Sequence, residues 1–426
     1  MSRRVGRLGL VVMALAAAVG ACQLLVGVEL EPDTPRPPAP PEASVPDAGG
    51  PDVDPCPHAR PPPPPSAPGG TRQTTHVFAV RQVTFGGFGD LPRRYDFDSL
   101  CTCENRDERV PGRPQVSCVQ PSEPCTAAVR SDDENGADLG GESLLALGGV
   151  GLKDIEKTEV SGKFEDGRRG LLVRIEDYNE GSDDDAVVLS LIATGGVQRR
   201  GGGAVIADAG RDADAGRDAD AGRDAAAAQD RTQLQVCTET NDQAHKPSWD
   251  GTGRDVWFGP RANQEVLSAQ GYVTNGRLVL NGTTASVRVP MFGQVLEQSR
   301  SVFVATLARS PSGALSFRGN LVGIVSASKL LGLVGSFQNP SVGDAAPTSL
   351  CDSPLFSVAS NLICGGRDLL EKGDDPNRPC DAIALALGLA GEEITLGSPS
   401  PECAPLVPFV CDAACPPIRV DAAGGD

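Results

Sequence analysis

The sequence predicts a mainly β protein, an antiparallel sandwich or barrel with a small disulfide-stapled α-helical part near its C-terminal end. Three observations predict it. Short runs rich in β-branched and aliphatic residues recur between polar turns, as in "GLLVRIEDY", "AVVLSLIAT", "SVFVATLA" and "LSFRGNLVGIV". Glycine-containing turn pairs separate several of these runs, which is the spacing of a meander. The late part of the chain carries helix signals together with a cluster of cysteines.

In chain order, "VSGKF-EDGRR-GLLVRIEDY" reads as a hairpin about the Asp166-Gly167 pair, with Leu171, Val173 and Ile175 on one face. "AVVLSLIAT" from Ala186 to Thr194 follows as the next strand. Asn275-Gly276 and Asn281-Gly282 each separate short strand-like runs; the Asn281-Gly282-Thr283 sequon is read as that turn. Ser353-Pro354 has the form of an N-cap followed by a first-turn proline, and Gly365-Gly366 a stop. Between them Leu355, Val358, Ala359, Leu362 and Ile363 share one helical face. "PCDAIALALGLAGEE" is read as a second buried helix.

The thirteen cysteines are many for a reducing compartment. Setting aside Cys22 and Cys56, they are Cys101, Cys103, Cys118, Cys125, Cys237, Cys351, Cys364, Cys380, Cys403, Cys411 and Cys415, and all are disulfide candidates. Cys101-Thr102-Cys103 and Cys411-x3-Cys415 have the outline of zinc knuckles, but His58, His76 and His245 lie near neither.

The start of the chain has Arg3, Arg4 and Arg7, an apolar run from Leu8 to Ala18, and then Val19-Gly20-Ala21-Cys22. This resembles the lipobox of bacterial lipoproteins. The resemblance implies cleavage before Cys22, a lipid on Cys22, and an extracytoplasmic, membrane-anchored body. An uncleaved anchor is the alternative, because Leu8 to Val28 is long enough to span a bilayer. The implied organisation is a signal peptide (1–21), a lipid-anchored Pro-rich linker (22–70), and a β-rich domain (71–320) with an insertion at 199–231. A helical, cysteine-containing subdomain (321–415) and a tail (416–426) complete it. The linker's "RPPPPPSAPGG" favours extended polyproline II.

Acidic balance (net charge −18) without a basic stripe argues against a nucleic-acid partner. The insertion contains DAGRDA three times between Asp208 and Ala225. Each copy holds an arginine, the glycine is misplaced for a calcium loop and no Glu closes it, so it is read as a disordered insertion. Ser326-Ala327-Ser328-Lys329 matches S-x-x-K, yet the S-D-N and K-T-G elements that would make it catalytic do not occur, and a strand-to-helix junction is the simpler reading.

Two acidic loops carry more. "RRYDFDSLCTC" offers Asp96 and Asp98 at strand spacing, and "SDDENGADLGG" offers Asp132 and Asp138 around Gly136. Oxygen-only ligands at this density suit calcium, the one cofactor the sequence suggests. Disulfides among Cys101, Cys103, Cys118 and Cys125 would draw these loops together. The Asp183-Asp184-Asp185 loop is the next candidate. Trp249, Asp250 and Trp257 in "SWDGTGRDVW" could form a glycan-facing surface, or pack near a turn.

The pieces "YDFDSLCT", "GLLVRIEDYNEGSDDDAVVLSL" and "WDGTGRDVW", followed by a cysteine-bearing helical end, resemble a group of uncharacterised exported lipoproteins of GC-rich bacteria. The resemblance lends no activity. The functional expectation is a tethered envelope or surface lipoprotein with a ligand-binding role, for a glycan or envelope protein, or a structural role. The alternative is a carboxylate-based glycan hydrolase or another extracytoplasmic enzyme.

Overall fold

The computed structural model describes residues 58–66, 70, 73–100, 117–121, 137–138, 157, 161–167, 170–199, 246–260, 267–281, 286–291, 294–337, 349–399, 411 and 414–418. Cys22 and the residues before it, the DAGRDA repeat, Asp132, Cys101, Cys103, Cys125, Cys237 and Cys403 lie outside the described residues.

Eight antiparallel strands close into a barrel. They are β1 (Thr74–Phe85), β2 (Gly170–Tyr178), β3 (Asp184–Thr194), β6 (Leu267–Thr274), β7 (Arg277–Asn281), β9 (Gln294–Arg309), β10 (Leu315–Ser326) and β11 (Ala382–Glu393). The order runs β10-β11-β1-β2-β3-β6-β7-β9, and pairing of β9 with β10 completes the ring, so these strands leave no open edge. A short β8 (Val287–Met291) pairs with the first residues of β9, before that strand enters the ring. A separate three-stranded sheet is made by β4 (Val197–Arg199), β5 (Val256–Gly259) and β12 (Thr395–Pro399).

The strand period of two sorts residues to the two faces. Phe78, Val80, Leu171, Val173, Ile175, Val187, Leu189, Phe303, Phe317, Leu385 and Leu387 belong to one buried cluster that fills the barrel. Phe317 meets Phe78 and Phe303 edge-on, with centroids 5.5 and 6.2 Å apart, a favoured aromatic geometry. Outward residues are covered in patches. Ala79, Leu172 and Ile192 lie under Trp257, Val197 and Ile394, while Val279, Val302, Val304 and Val322 lie with Tyr95 and Tyr272.

Helices α2 (Ala327–Gly335) and α3 (Pro354–Gly365) join the barrel's own core through Leu330, Leu331, Val334, Ala359 and Ile363. Disulfides Cys351–Cys411 and Cys364–Cys415 tie this helical part to the later chain, and Cys118–Cys380 joins the early and late cysteine clusters. The Ser353 hydroxyl accepts from Leu355 N at 3.2 Å, the cap its sequence predicts. The Asn275-Gly276 turn joins β6 to β7 with both residues at positive φ (51° and 73°).

Six expectations need correction. Residues 382–393 are a strand, not a helix: Ile383, Leu385, Leu387 and Leu389 alternate with Ala or Gly, and the small residues let other groups approach. A Cβ on Gly388 would sit 3.1 Å from the Phe88 ring, and one on Gly391 would sit 2.3 Å from the Ala79 carbonyl. The helical part is therefore an excursion between two barrel strands, β10 and β11, and not a separate unit over 321–415. Residues before β2 do not form a hairpin arm. Gly162–Glu165 make one helical turn, α1, closed by Asp166 N to Gly162 O at 2.9 Å, and Phe164 is buried. Asn281-Gly282 does not join a hairpin either, because β7 and β8 both pair with β9 and not with each other. Cys118 pairs outside its own cluster. The linker also ends earlier than residue 70, for His58 contacts Asp96 on the barrel's outer segment and Pro62 contacts Tyr272 of β6.

Candidate functional site

After β1 the chain turns through Gly86 and Gly87, both at positive φ, and runs along the outside of the barrel. Buried Asn320 holds it there. Its Oδ1 accepts from Phe88 N at 2.7 Å, and its Nδ2 donates to the carbonyls of Phe88, Leu91 and Pro92. Tyr95 and Phe97 then pack on the barrel wall, which leaves Asp96 and Asp98 as flanking carboxylates. A second support comes from β9. Its ladder breaks between Ser299 and Val302, Arg300 adopts φ 49°, and the redirected guanidinium donates to Phe97 O at 2.7 Å.

Asp138 arrives from the following segment, with its N–H donating to Tyr95 O and its Oδ2 accepting from Phe97 N at 2.8 Å. Ligand-capable oxygens of Asp96, Asp98 and Asp138 then lie within 4.8 Å of one another. Asp138 is buried, and the Asp96 side chain is 1% exposed. Three of the four acids expected from sequence thus converge, and Asp132 falls outside the described residues. Backbone N–H groups of Ser99 and Leu100 donate to Asp96 and Asp98, and His58 Nδ1 contacts Asp96 Oδ2. Such an all-carboxylate donor set suits a hard cation such as calcium, with carbonyls or waters completing the shell. Each carboxylate pair at about 4 Å repels by about 1 kcal/mol in water and several-fold more when partly buried.

A second polar cluster sits on the inner face of the barrel, beside Phe78. The buried His76 places Nδ1 2.7 Å from Glu393 Oε1; Nε2 lies 3.1 Å from Thr74 Oγ1 and 3.5 Å from Glu180 Oε1. Arg309 pairs with the other Glu180 oxygen at 3.3 Å, and Leu315 N donates to Glu393 Oε2 at 2.8 Å. The His76 hydrogen bond, with Leu315 N–H and the His76 and Arg309 charges, holds the Glu393 carboxyl below its usual range against the opposing effect of burial. Burial pushes the Tyr178 hydroxyl up. Thr74-His76-Glu393 has the outline of a nucleophile–base–carboxylate chain, but the Thr74 hydroxyl donates to Tyr178 O at 2.7 Å and so directs its proton away from the imidazole. Glu180 and Glu393 flank His76 itself, so the ring fills the gap a glycosidic bond would need. Sequence reasoning missed this cluster because His76 and Glu393 lie 317 residues apart.

The remaining expected sites resolve as structure. Trp257 of β5 is fully buried against the outside of the barrel wall and offers no face to a ligand. Trp249 packs on it (centroids 5.7 Å apart) and its indole N–H donates to Glu165 O. Asp250 is exposed, and its carboxyl, held low first by the Thr252 hydroxyl, closes the turn. The loop is organised by buried Asp255, which accepts from Ser248 and from Trp249 N. Ser326 ends β10 and α2 follows at once, while Lys329 Nζ is taken up by Glu297 (3.0 Å) and Glu371 (2.6 Å). Cys411 and Cys415 are in disulfides and form no zinc knuckle.

No protein-family model, no curated protein and no solved structure matches this chain. Among the described residues, no helix is long and apolar enough to cross a membrane. The disulfides among the described residues fit an oxidising, extracytoplasmic compartment.

Proposed function

We propose that this chain is a non-catalytic lipoprotein, tethered through lipid on Cys22, whose barrel is a rigid scaffold for one divalent-cation site. Asp96, Asp98 and Asp138 hold the ion, and calcium is the cation their chemistry favours. The observation that carries the reading is the convergence of these three carboxylates from two chain segments, two of them withdrawn from water. The packed barrel interior also supports a scaffold role, because its inward positions are filled by Phe78, Phe303, Phe317 and aliphatic neighbours. The ion cross-links the outer segment at 95–98 to Asp138, beside the point where the tether meets the barrel.

Calcium titration of the full chain by calorimetry tests the ion. Stoichiometric binding is expected, with loss in Asp96→Asn/Asp138→Asn, and heat that persists unchanged in that variant refutes the site. Palmitate labelling in the native host tests the anchor separately. It is expected in wild type and absent in Cys22→Ala, and a labelled variant refutes the lipid assignment.

A further inference from the structure

The end of the Pro-rich linker is seated on the barrel. Every residue from Arg60 to Pro64 precedes a proline, and that steric restriction holds each of them extended. Prolines fix their own φ, so 61–65 is confined to polyproline II, which repeats every three residues. Exposure follows that period. Ala59, Pro62 and Pro65 are half-buried, whereas Arg60, Pro63 and Ser66 are exposed. One edge of the helix faces the barrel and another faces water.

Two backbone contacts fall on the facing edge, and the His58 side chain adds a third, to Asp96, from the neighbouring edge. Tyr272 of β6 donates its hydroxyl to the Pro62 carbonyl, and Asp96 N donates to the Ala59 carbonyl at 3.0 Å. Proline lacks an N–H, so a polyproline segment can be read only through its carbonyls and ring faces, and the two backbone contacts use carbonyls. Tyr272 itself is nine-tenths buried in a cluster with Tyr95, Val279, Val302 and Val304. Burial raises its hydroxyl above the ordinary tyrosine value and so keeps it protonated. An aromatic wall with a hydroxyl aimed at a carbonyl is a chemistry that selects pre-formed polyproline, which docks with little loss of chain entropy.

We infer that the flank formed by Tyr272 and the 95–97 segment is a polyproline II-binding groove, and that its occupant is this chain's own segment His58–Ser66. The strap sets where the chain reaches the barrel, at His58. The groove needs neither lipid nor cation.

A cleavable chain tests this. A protease site replaces Gly69-Gly70 in the full-length protein, with Cys56→Ser to exclude a disulfide hold. Cleavage and gel filtration are run in EGTA, so that failure of the cation site leaves the result unaffected. The N-terminal fragment is expected to co-elute with the barrel and to be displaced by excess peptide of sequence HARPPPPPS but not by HARGGGGGS. Tyr272→Phe, which keeps the ring and removes the donor, is expected to weaken retention several-fold. Separate elution of the wild-type fragments, or equal displacement by the glycine peptide, overturns the inference. A measurement on the uncut chain guards against misfolding of the cleaved one. Replacing Pro61–Pro65 by glycine is expected to speed hydrogen exchange at the Asp96 amide at least tenfold while exchange in β11 stays unchanged; an unchanged Asp96 rate overturns the groove.

Discussion

Two acidic regions of this molecule have similar composition and opposite design. The β2–β3 turn and the strand ends that flank it carry Asp177, Glu180, Asp183, Asp184 and Asp185, and most of their polar reach is turned on the local backbone. Asp184 accepts from Asn179 N at 2.7 Å and from Ala186 N at 3.2 Å, and Asp183 accepts from Asn275 N at 3.0 Å. Asn179 closes the rest through Gly181 N and the Asp183 carbonyl. These carboxylates act as fasteners that dock the loop on the neighbouring β6–β7 turn, and the backbone N–H of Asn275 is the main reason Asp183 is held below the usual carboxylate range. Around Asp96, Asp98 and Asp138, by contrast, carboxylates from two segments also point at one another. Acid density alone does not distinguish a clasp from a cation site; the direction of the carboxylates does.

The largest effect expected to separate the two regions is calcium-dependent stability. At one hundred times the dissociation constant, a ligand bound only by the folded state contributes about 2.7 kcal/mol. For a domain of this size that is a rise of roughly 5–10 °C in melting temperature. Wild type should show that rise between EGTA and calcium, Asp96→Asn/Asp138→Asn should lose it, and Asp183→Asn/Asp185→Asn should keep it. A rise that follows the second pair of residues would reverse the assignment of the two regions.

The clasp makes the complementary prediction. Asp184→Ala leaves two backbone N–H groups without their acceptor, at a cost of about 1–3 kcal/mol. Its melting temperature should fall by several degrees, and by the same amount in calcium and in EGTA. A loss that calcium repairs would mean that Asp184 ligates an ion.

How far the sequence foresaw these regions follows from the range of each signal. Strand β3, the Asn275-Gly276 turn and the Ser353 cap rest on residues within a few positions of each other, and local chemistry decides them. Asp96 and Asp98 were visible for the same reason. Strand β11 was not, because alanine and leucine favour a helix intrinsically while the alternation of large and small residues favours a strand, and only the packing of Phe88 against Gly388 shows which applies. That alternation also sends Glu392 outward to Arg81 and Glu393 inward to His76, so adjacent identical residues serve different clusters. The tryptophans misled because Trp257 lies on the covering sheet itself, with its ring turned onto the barrel's outer wall, and Trp249 packs on that ring.

The smallest effect concerns a third way of holding a carboxylate, the hydrogen bond from His76 to Glu393. The Glu393 carboxyl is held below its ordinary value of 4.5, first by His76 and then by Leu315 N–H and nearby positive charge. A carboxyl depressed on folding stabilises the protein at pH above its unfolded value, and that stabilisation disappears as pH falls through the folded value. The relevant window therefore lies below about pH 4.5. With the side chain 23% exposed, the contribution is about 1 kcal/mol after solvent screening. Glu393→Gln should lower the melting temperature slightly at pH 7 and converge on wild type as the pH drops toward 3. The calcium-dependent rise, measured at pH 7, should be the same in this variant as in wild type, because Glu393 lies in the barrel's inner-face cluster and the aspartates on its outer wall. Parallel melting curves from pH 7 to pH 3 would show that His76 does not single out the ionised form of Glu393, and a reduced calcium response would show that the two clusters are coupled through the barrel wall.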